Sequence, residues 1–309
     1  MSLLFACDDV PPAPWIKALQ AELPDLDIDV WPDCSDPLAV EAALIWGPHA
    51  SQMDKFPNLK AILSIGAGVD HILRAPGRPD GVPVVRLVDP GLRQGMIDYV
   101  TCHVARHHRD MPAYAEQQHK ALWIERRQTL AHERRVGIMG LGSLGKACAE
   151  ALVGLGFDVI GWSRSRKTID GVGCFYGEDA LHSFLAKTEI LVCLLPLTPD
   201  TTDIMNHTTL SALPPGATLI NVGRGEQLVE ADLLALLETG QIAGATLDVF
   251  RTEPLPRDHA FWSHPNITVT PHIAAVTLAR TAAPVIADTL RRLAKGRKLL
   301  NVVDPGRGY

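Results

Sequence analysis

Three side chains suited to acid–base or anion-binding chemistry each follow a separate strand-like run. They are Arg224, which is flanked by glycines, Glu253 and His272. Ligands of open α/β sheets bind beyond the carboxyl ends of the strands, so these residues are predicted to share one edge of a sheet. Arginine can grip a carboxylate through its planar fork, histidine can move a proton near neutral pH, and a carboxylate can orient that histidine. Singly each residue also suits a structural role, as a strand cap, a loop residue or a buried histidine; together they predict a catalytic group.

A glycine-rich segment ends a strand predicted over residues 135–140 and opens a helix predicted over 144–156. In this context the spacing Gly-x-Gly-x-x-Gly allows a tight turn, a close approach of the backbone to a pyrophosphate, and close packing of helix on strand. The helix N-terminus adds N–H donors and a partial positive charge. The alternative is a glycine turn that binds nothing. The predicted cofactor-binding residues here are Gly140, Gly142, Ser143, Leu144 and Gly145.

The turn after the next predicted strand is basic. Ser163 stands where sites for NAD usually carry an acid, ~20 residues beyond the glycines, and two arginines and a lysine follow it. A carboxylate there would repel a 2′-phosphate, whereas hydroxyl and guanidinium groups would bind it. We therefore expect NADPH as the cofactor, with NADH weaker; an ordinary solvated basic turn is the alternative. The predicted residues of this turn are Ser163, Arg164, Ser165 and Arg166.

Length and composition favour a folded protein of two domains. The chain has 309 residues, of which 47% are hydrophobic, and a net charge of -6, which argues against a general nucleic-acid or anionic-membrane partner. The six cysteines form no Cys-x-x-Cys pair, which is typical of a reducing compartment. No signal segment is visible, and the longest apolar run, at 190–197, is too short to span a bilayer. We predict a cytoplasmic protein.

The order of elements predicts an α/β fold. Short apolar runs at 2–7, 42–46, 61–65 and 84–87 are typical of buried parallel strands, and from residue 135 onward strands alternate with helices. A long helix over 97–122, kinked or broken at Pro112, is predicted to connect the domains, and a helix over 278–295 to carry the chain back. We therefore predict two Rossmann-like or flavodoxin-like domains with parallel sheets. The dinucleotide-binding domain, 98–279, is inserted into a substrate (catalytic) domain, 1–97 and 280–309.

Several strings resemble those of the D-2-hydroxyacid dehydrogenase family, and in particular its glyoxylate/hydroxypyruvate reductase A branch. They are Ser64-Ile-Gly-Ala-Gly-Val-Asp-His, Asn221-Val-Gly-Arg-Gly, Leu247-Asp-Val-Phe and Thr270-Pro-His-Ile-Ala-Ala-Val. The resemblance covers nearly the whole chain, and the glycine motif lies mid-chain as in that family. It implies an NAD(P)-dependent oxidoreductase that reduces glyoxylate or hydroxypyruvate to a D-2-hydroxy acid with NADPH. It also implies a homodimer.

The family roles agree with the chemistry of the residues. Arg224 would hold the keto acid and polarise its carbonyl, His272 would be the acid/base, and Glu253 would favour the protonated imidazole and fix its orientation. The resemblance implies that backbone N–H groups of Ala67, Gly68 and Val69 bind the substrate carboxylate, where the alternative is a simple turn. Trp46 would wall the pocket, or else be a core aromatic. Arg224 and His272 complete the substrate-binding set. The remaining cofactor-binding residues implied are Leu195, Pro196, Val222, Gly223, Asp248 and His272.

Other interpretations remain open from the residues alone. The substrate could be a bulkier 2-keto acid such as phenylpyruvate, or the chain could be a non-catalytic dinucleotide-sensing protein on the same fold. His103 and His107 have the i, i+4 spacing that can bind a metal, but no third ligand matches a metal-site pattern. We predict a solvated helix face there and no metal.

Overall fold

The structure, a computed structural model, describes residues 2–8 and 10–308. Met1, Asp9 and Tyr309, which fall within the predicted substrate domain, lie outside the described residues. The chain divides into two compact units, Met1–Gln94 with Val276–Tyr309 (the first unit) and Gly95–Ala275 (the second unit). The second unit is thus inserted in the sequence of the first. Within the described ranges, no helix combines the length and the apolar character needed to cross a membrane.

The first unit contains a parallel sheet of five strands in the order β2-β1-β3-β4-β5. The strands are β1 Ser2–Cys7, β2 Asp27–Val30, β3 Val40–Trp46, β4 Ala61–Ser64 and β5 Val84–Val85. The central strands are apolar and buried, as parallel strands covered on both faces must be. The strand β2 was not predicted. It lies at an edge of the sheet, and its sequence Asp-Ile-Asp-Val contains no continuous apolar run.

The second unit contains a parallel sheet of seven strands in the order β12-β11-β10-β9-β6-β7-β8. Its strands are β6 Arg135–Met139, β7 Asp158–Ser163, β8 Val172–Tyr176, β9 Ile190–Cys193, β10 Ala217–Asn221, β11 Ile242–Leu247 and β12 Ile267–Val269. The strand order reverses between β6 and β9, which is where doubly wound sheets bind nucleotides. The half-exposed edge strand β8 was also not predicted. The predicted α/β class with parallel sheets is confirmed.

Helices flank both sheets. They are α1 Pro12–Glu22, α2 Asp70–Leu73, α3 Pro90–His108, α4 Met111–His119, α5 Ser143–Gly154, α6 Leu181–Leu185, α7 His207–Ser211, α8 Glu230–Glu238 and α9 Ala279–Ala294. The helix predicted over 97–122, kinked or broken at Pro112, is two helices, α3 and α4. The chain breaks at Asp110, which has a left-handed backbone with φ of 53°, and Pro112 lies in the first turn of α4, where its missing N–H costs nothing.

The prediction of a solvated histidine face on α3 is wrong. His107 is buried, and its Nε2 lies 3.0 Å from the Thr246 hydroxyl of β11, while His103 Nδ1 lies 3.4 Å from the same oxygen. Burial lowers the pKa of His107 to about 4, helped by the nearby charges of His103 and Arg106, and burial also lowers the pKa of His103. Both rings are therefore neutral near pH 7. Across 2–8 and 10–308, no cluster of metal-ligating residues is found.

Candidate active site

The glycine loop leaves open space at its middle glycine. A β-carbon at Gly140, whose φ is 102°, would lie 2.7 Å from the carbonyl oxygen of Leu194, and one at Gly145 would lie 1.8 Å from that of Gly140. The chain's own packing therefore requires glycine at both positions. At Gly142 a β-carbon would meet nothing within 4 Å. Internal packing therefore does not require glycine at position 142, which is the position predicted to face a pyrophosphate.

Helix α5 begins directly after this loop, at Ser143. Its N-cap residue is Gly142, and no side chain caps the helix. The first N–H groups of a helix have no partner within it, and they carry the positive end of the helix dipole. Gly142 and Ser143 are exposed. A pyrophosphate fits this end of α5 because open space and uncapped donors occur together.

The basic turn follows β7. Ser163 is buried, and its hydroxyl donates to the carbonyl of Ser165 at 2.8 Å, which closes the turn. The next four residues, 164–167, are exposed and include three cations. No carboxylate lies between residues 163 and 169. The turn therefore suits an anionic group such as a 2′-phosphate.

The His272 and Glu253 side chains form a close pair. His272 Nδ1 lies 2.7 Å from Glu253 Oε2, and the N–H of Phe250 donates to Glu253 Oε1 at 2.9 Å. Burial raises the pKa of the Glu253 carboxyl. This effect of burial is outweighed by the hydrogen bonds from His272 and Phe250 and by the charges of His272 and Arg224. The pKa of Glu253 therefore lies below its usual value. Glu253 is thus ionised at neutral pH. Because Nδ1 faces Glu253, proton exchange with a ligand falls to Nε2.

Asp248 shapes the loop that carries His272. Its buried carboxylate accepts from the Thr270 hydroxyl at 2.6 Å and from the N–H groups of Ile273 and Ala274, each at 2.8 Å. Burial raises the pKa of Asp248, opposed by these hydrogen bonds and the charge of His272. The backbone of His272, with φ of 53°, is in the left-handed region that non-glycine residues rarely adopt. The carboxylate therefore stabilises an unusual backbone directly at the proposed acid/base.

Hydrogen bonds with buried amide side chains hold the backbone of Arg224. Its N–H donates to Gln227 Oε1 at 2.9 Å, and its carbonyl accepts from Asn221 Nδ2 at 3.2 Å. Its guanidinium donates to the carbonyl of Gly223 at 2.9 Å. Because the charge of Arg224 helps to lower the pKa of Glu253, the two side chains are close enough to interact electrostatically. Asn221 and Gln227 are both fully buried, and sequence reasoning assigned a role to neither, since a lone amide at a strand end or in a short turn carries no signal.

The segments after β9 and β10 lie side by side. Leu195 and Pro196 follow β9, and their carbonyls accept from Gln227 Nε2 at 3.0 and 3.1 Å. Val222 and Gly223 follow β10, and the N–H of Val222 donates to the carbonyl of Cys193 at 3.2 Å. These four residues therefore occupy the carboxyl edge of the sheet, together with the glycine loop after β6.

The first unit presents Trp46 at the end of β3 and residues 66–69 after β4. The Trp46 ring covers Gly66, where a β-carbon would lie 2.7 Å from the ring. The Ser64 hydroxyl donates to the carbonyl of Gly68 at 2.8 Å and accepts from the N–H of Gly66. Among the residues that the structure describes, none accepts from the N–H of Ala67 or Gly68. The loop thus offers backbone donors for an anion.

Comparison with known proteins identifies the family of this chain. A sequence model of the D-isomer specific 2-hydroxyacid dehydrogenase, NAD binding domain, matches residues 101–274. A curated relative named glyoxylate/hydroxypyruvate reductase A from Yersinia enterocolitica is 42% identical, over 100% of each chain. One of the same name from Serratia proteamaculans is 43% identical, over 96% of each chain.

Solved structures agree along the whole chain. A D-isomer specific 2-hydroxyacid dehydrogenase from Xanthobacter autotrophicus, in complex with NADPH and MES, is 46% identical, with a TM-score of 0.96 over 100% of this chain and 99% of that one. An NADPH-dependent glyoxylate/hydroxypyruvate reductase from Sinorhizobium meliloti, in complex with NADP and sulfate, is 38% identical. Its TM-score is 0.93 over 100% of this chain and 99% of that one.

Proposed function

Because the chain belongs to the D-isomer specific 2-hydroxyacid dehydrogenase family, and is thus an NAD(P)-dependent oxidoreductase, we propose that it reduces glyoxylate and hydroxypyruvate to D-2-hydroxy acids with NADPH. The observation that carries the proposal is the 2.7 Å pair of Glu253 and His272. These residues follow β11 and β12, and Arg224 follows the neighbouring β10. An anion-binding cation and an oriented imidazole therefore occupy consecutive strand ends of one sheet.

The second unit has the groups that NADPH requires. The N-terminus of α5 and the open space at Gly142 suit the pyrophosphate, and the turn with Arg164 and Arg166 suits the 2′-phosphate. NADPH, when bound, supplies the hydride. The bound NADPH and NADP of the Xanthobacter and Sinorhizobium proteins support this preference over NADH. The residues proposed to line the rest of the cofactor are Leu195, Pro196, Val222, Gly223, Asp248 and His272.

The chemistry assigned to the protein is binding, polarisation and proton transfer. The Arg224 guanidinium binds the carboxylate and the carbonyl oxygen of the keto acid, which draws electron density toward that oxygen. His272 donates a proton from Nε2 to the oxygen as it becomes an alkoxide. Glu253, which stays ionised, stabilises the imidazolium before the transfer and holds the ring afterwards. In oxidation His272 accepts the proton instead.

Residues of the first unit are proposed to bind the substrate. The N–H groups of Ala67, Gly68 and Val69 would bind its carboxylate, and the Trp46 ring would limit the size of its side chain. A small acid is favoured because the bulky ring already covers Gly66. We also propose a homodimer, since the segment 122–130 exposes Trp123 (102%), Ile124 and Leu130, an apolar surface suited to a second copy.

The test is turnover by the purified protein with NADPH or NADH and a panel of glyoxylate, hydroxypyruvate, phenylpyruvate and 2-ketoisocaproate. We expect the highest kcat/KM with the two small acids and NADPH. A higher kcat/KM with phenylpyruvate would instead identify a reductase of bulkier acids. Cofactor binding without turnover of any acid would overturn the enzymatic role and favour dinucleotide sensing. Light scattering of the purified protein tests the dimer.

A further inference from the structure

Gln227 is a fully buried polar side chain whose hydrogen-bonding groups are all used. It ends the short 3-10 turn Gly225–Gln227 and is 0% exposed. Its Nε2 donates to the carbonyls of Leu195 and Pro196, and its Oε1 accepts from the N–H of Arg224 and, at 3.4 Å, from the thiol of Cys193 in β9. A primary amide has two N–H donors and one oxygen, so this site matches glutamine group for group.

The partners of Gln227 belong to two different ligand-binding segments. Leu195 and Pro196 follow β9 and are proposed to line the cofactor, whereas Arg224 follows β10 and is proposed to bind the substrate. The amide lies tightly between these segments, because a β-carbon at Gly223 would come within 2.3 Å of Gln227 Oε1. The side chain therefore fills the gap as well as bonding across it.

Asn221 does not make the same link. It also holds the backbone of Arg224, but its other bond, from the N–H of Gly223 to Oδ1 at 3.1 Å, stays within its own loop. Gln227 reaches from the Arg224 loop to the neighbouring segment after β9. Of the two buried amides, only Gln227 ties the substrate arginine to the cofactor segment.

We propose that Gln227 is a positioning residue that sets the register between keto acid and cofactor, by holding the Arg224 backbone and the Leu195–Pro196 carbonyls as one unit. The inference rests on the proposed function, because Gln227 acts through these residues and touches neither ligand. Transfer between two bound molecules requires their reacting atoms at about 3–3.5 Å, and a misplacement of about 1 Å can cost roughly 100-fold in rate. An apolar side chain at position 227 would leave the N–H of Arg224 and the buried carbonyl of Leu195 without these partners. The carbonyl of Pro196 would lose one of two bonds, since it also accepts from the Thr201 hydroxyl at 2.7 Å. These losses favour a shift of both segments.

The test compares Gln227→Leu and Gln227→Glu with the control Gln241→Leu. Gln241 also donates to backbone carbonyls, those of Leu213 at 2.8 Å and Ser211 at 3.4 Å, but it precedes β11 at the opposite end of the sheet. The measurements are kcat and KM for glyoxylate, the Kd for NADPH from its fluorescence, and the melting temperature. The control shows what loss of such bonds does away from the site.

For Gln227→Leu we expect both the KM for glyoxylate and the Kd for NADPH to rise at least about fivefold, with a lower kcat. Gln227→Glu keeps the oxygen that accepts from the N–H of Arg224. Its second carboxylate oxygen replaces Nε2 and is repelled by the carbonyl oxygens of Leu195 and Pro196. Its Kd for NADPH should therefore rise, while its KM stays within about threefold of wild type. In the Gln227→Leu background, Arg224→Lys should cost less in kcat/KM than in wild type, because the arginine is already misplaced.

The inference is overturned if Gln227→Leu, like Gln241→Leu, lowers only the melting temperature and leaves KM and Kd unchanged. If Gln227→Leu does not fold, Gln227→Glu decides: an unchanged Kd for NADPH overturns the inference, and a raised Kd with near-normal KM supports it. Failure of the proposed function is distinct, since wild type would then turn over no keto acid. The Kd for NADPH would still test the Leu195–Pro196 half of the link.

Discussion

Replacing Glu253 with glutamine separates the charge of this carboxylate from its shape. In the native protein one oxygen faces His272 Nδ1 at 2.7 Å and the other faces the N–H of Phe250 at 2.9 Å. Glutamine has the same length but only one oxygen, so its amide group must face one of these two donors. The variant therefore loses the negative charge and one of two hydrogen bonds, while the backbone is left unchanged.

The size of the effect follows from the geometry. A hydrogen bond to a charged group contributes about 1.5–3 kcal/mol. Both side chains are about a third exposed, 37% for His272 and 36% for Glu253, so solvent screening reduces this figure. We expect a loss of about 1–2 kcal/mol in transition-state stabilisation, which corresponds to roughly 5- to 30-fold in kcat/KM.

The assay is the rate of NADPH oxidation by glyoxylate at about pH 7, where the Glu253 carboxyl of the native protein is ionised. Glu253→Gln should lower kcat/KM by the factor given above, because the imidazole of His272 loses its anionic partner. Glu230→Gln is the matched control, since Glu230 faces His259 Nε2 at 3.3 Å in the same unit and should leave kcat/KM unchanged. An unchanged kcat/KM in Glu253→Gln, or an equal loss in both variants, would refute the reasoning.

The same carboxylate makes stability depend on pH. Its pKa in the folded protein lies below the usual value, so its contribution to the free energy of unfolding is present above the unfolded pKa. That contribution disappears as the pH falls through the lower, folded pKa. Urea unfolding at pH 7 and at about pH 3 should therefore show the wild-type advantage over Glu253→Gln shrinking in acid. An equal advantage at both values would contradict the direction of the shift.

Three other substitutions separate the remaining roles. His272→Ala should lower kcat by about 10²–10⁴-fold, while the Kd for NADPH, measured by fluorescence titration, changes little because His272 is one of several residues proposed to line the cofactor; lost cofactor binding would contradict its assignment as the acid/base. Arg164→Ala should raise the Kd for NADPH about tenfold or more while that for NADH changes little, and equal changes would remove Arg164 from the 2′-phosphate site. Gly142→Ala should melt like wild type, since a β-carbon there meets nothing within 4 Å, but bind NADPH about tenfold more weakly, and unaltered affinity would exclude a close pyrophosphate.

Most strands were predictable because buried parallel strands must be apolar on both faces. The strands predicted at 2–7, 61–65 and 135–140 match β1, β4 and β6 to within one residue. Edge strands β2 and β8 were missed, since an edge strand can be polar on one side and then resembles a loop. The kink or break predicted at Pro112 lies two residues earlier, at Asp110, because the left-handed turn there has no glycine to mark it.

Side-chain environments were less predictable than elements. The spacing of His103 and His107 defines a face of α3, but not what covers that face. The covering strand, β11, lies far away in the sequence, and its Thr246 hydroxyl satisfies the ring of His107. A local pattern cannot distinguish a solvated histidine pair from a buried one, because burial depends on this distant partner.

The amino-acid sequence by itself determined the glycine loop, the basic turn and the position of Arg224, Glu253 and His272 after successive strands. These features are local, and parallel strands necessarily bring their carboxyl ends to one edge. Only the tertiary structure decided that Glu253 meets His272 at 2.7 Å, that Asp248 supports the left-handed His272, and that Gln227 joins two loops. Each of these contacts depends on the order of β9, β10, β11 and β12 in the sheet, which no linear spacing encodes.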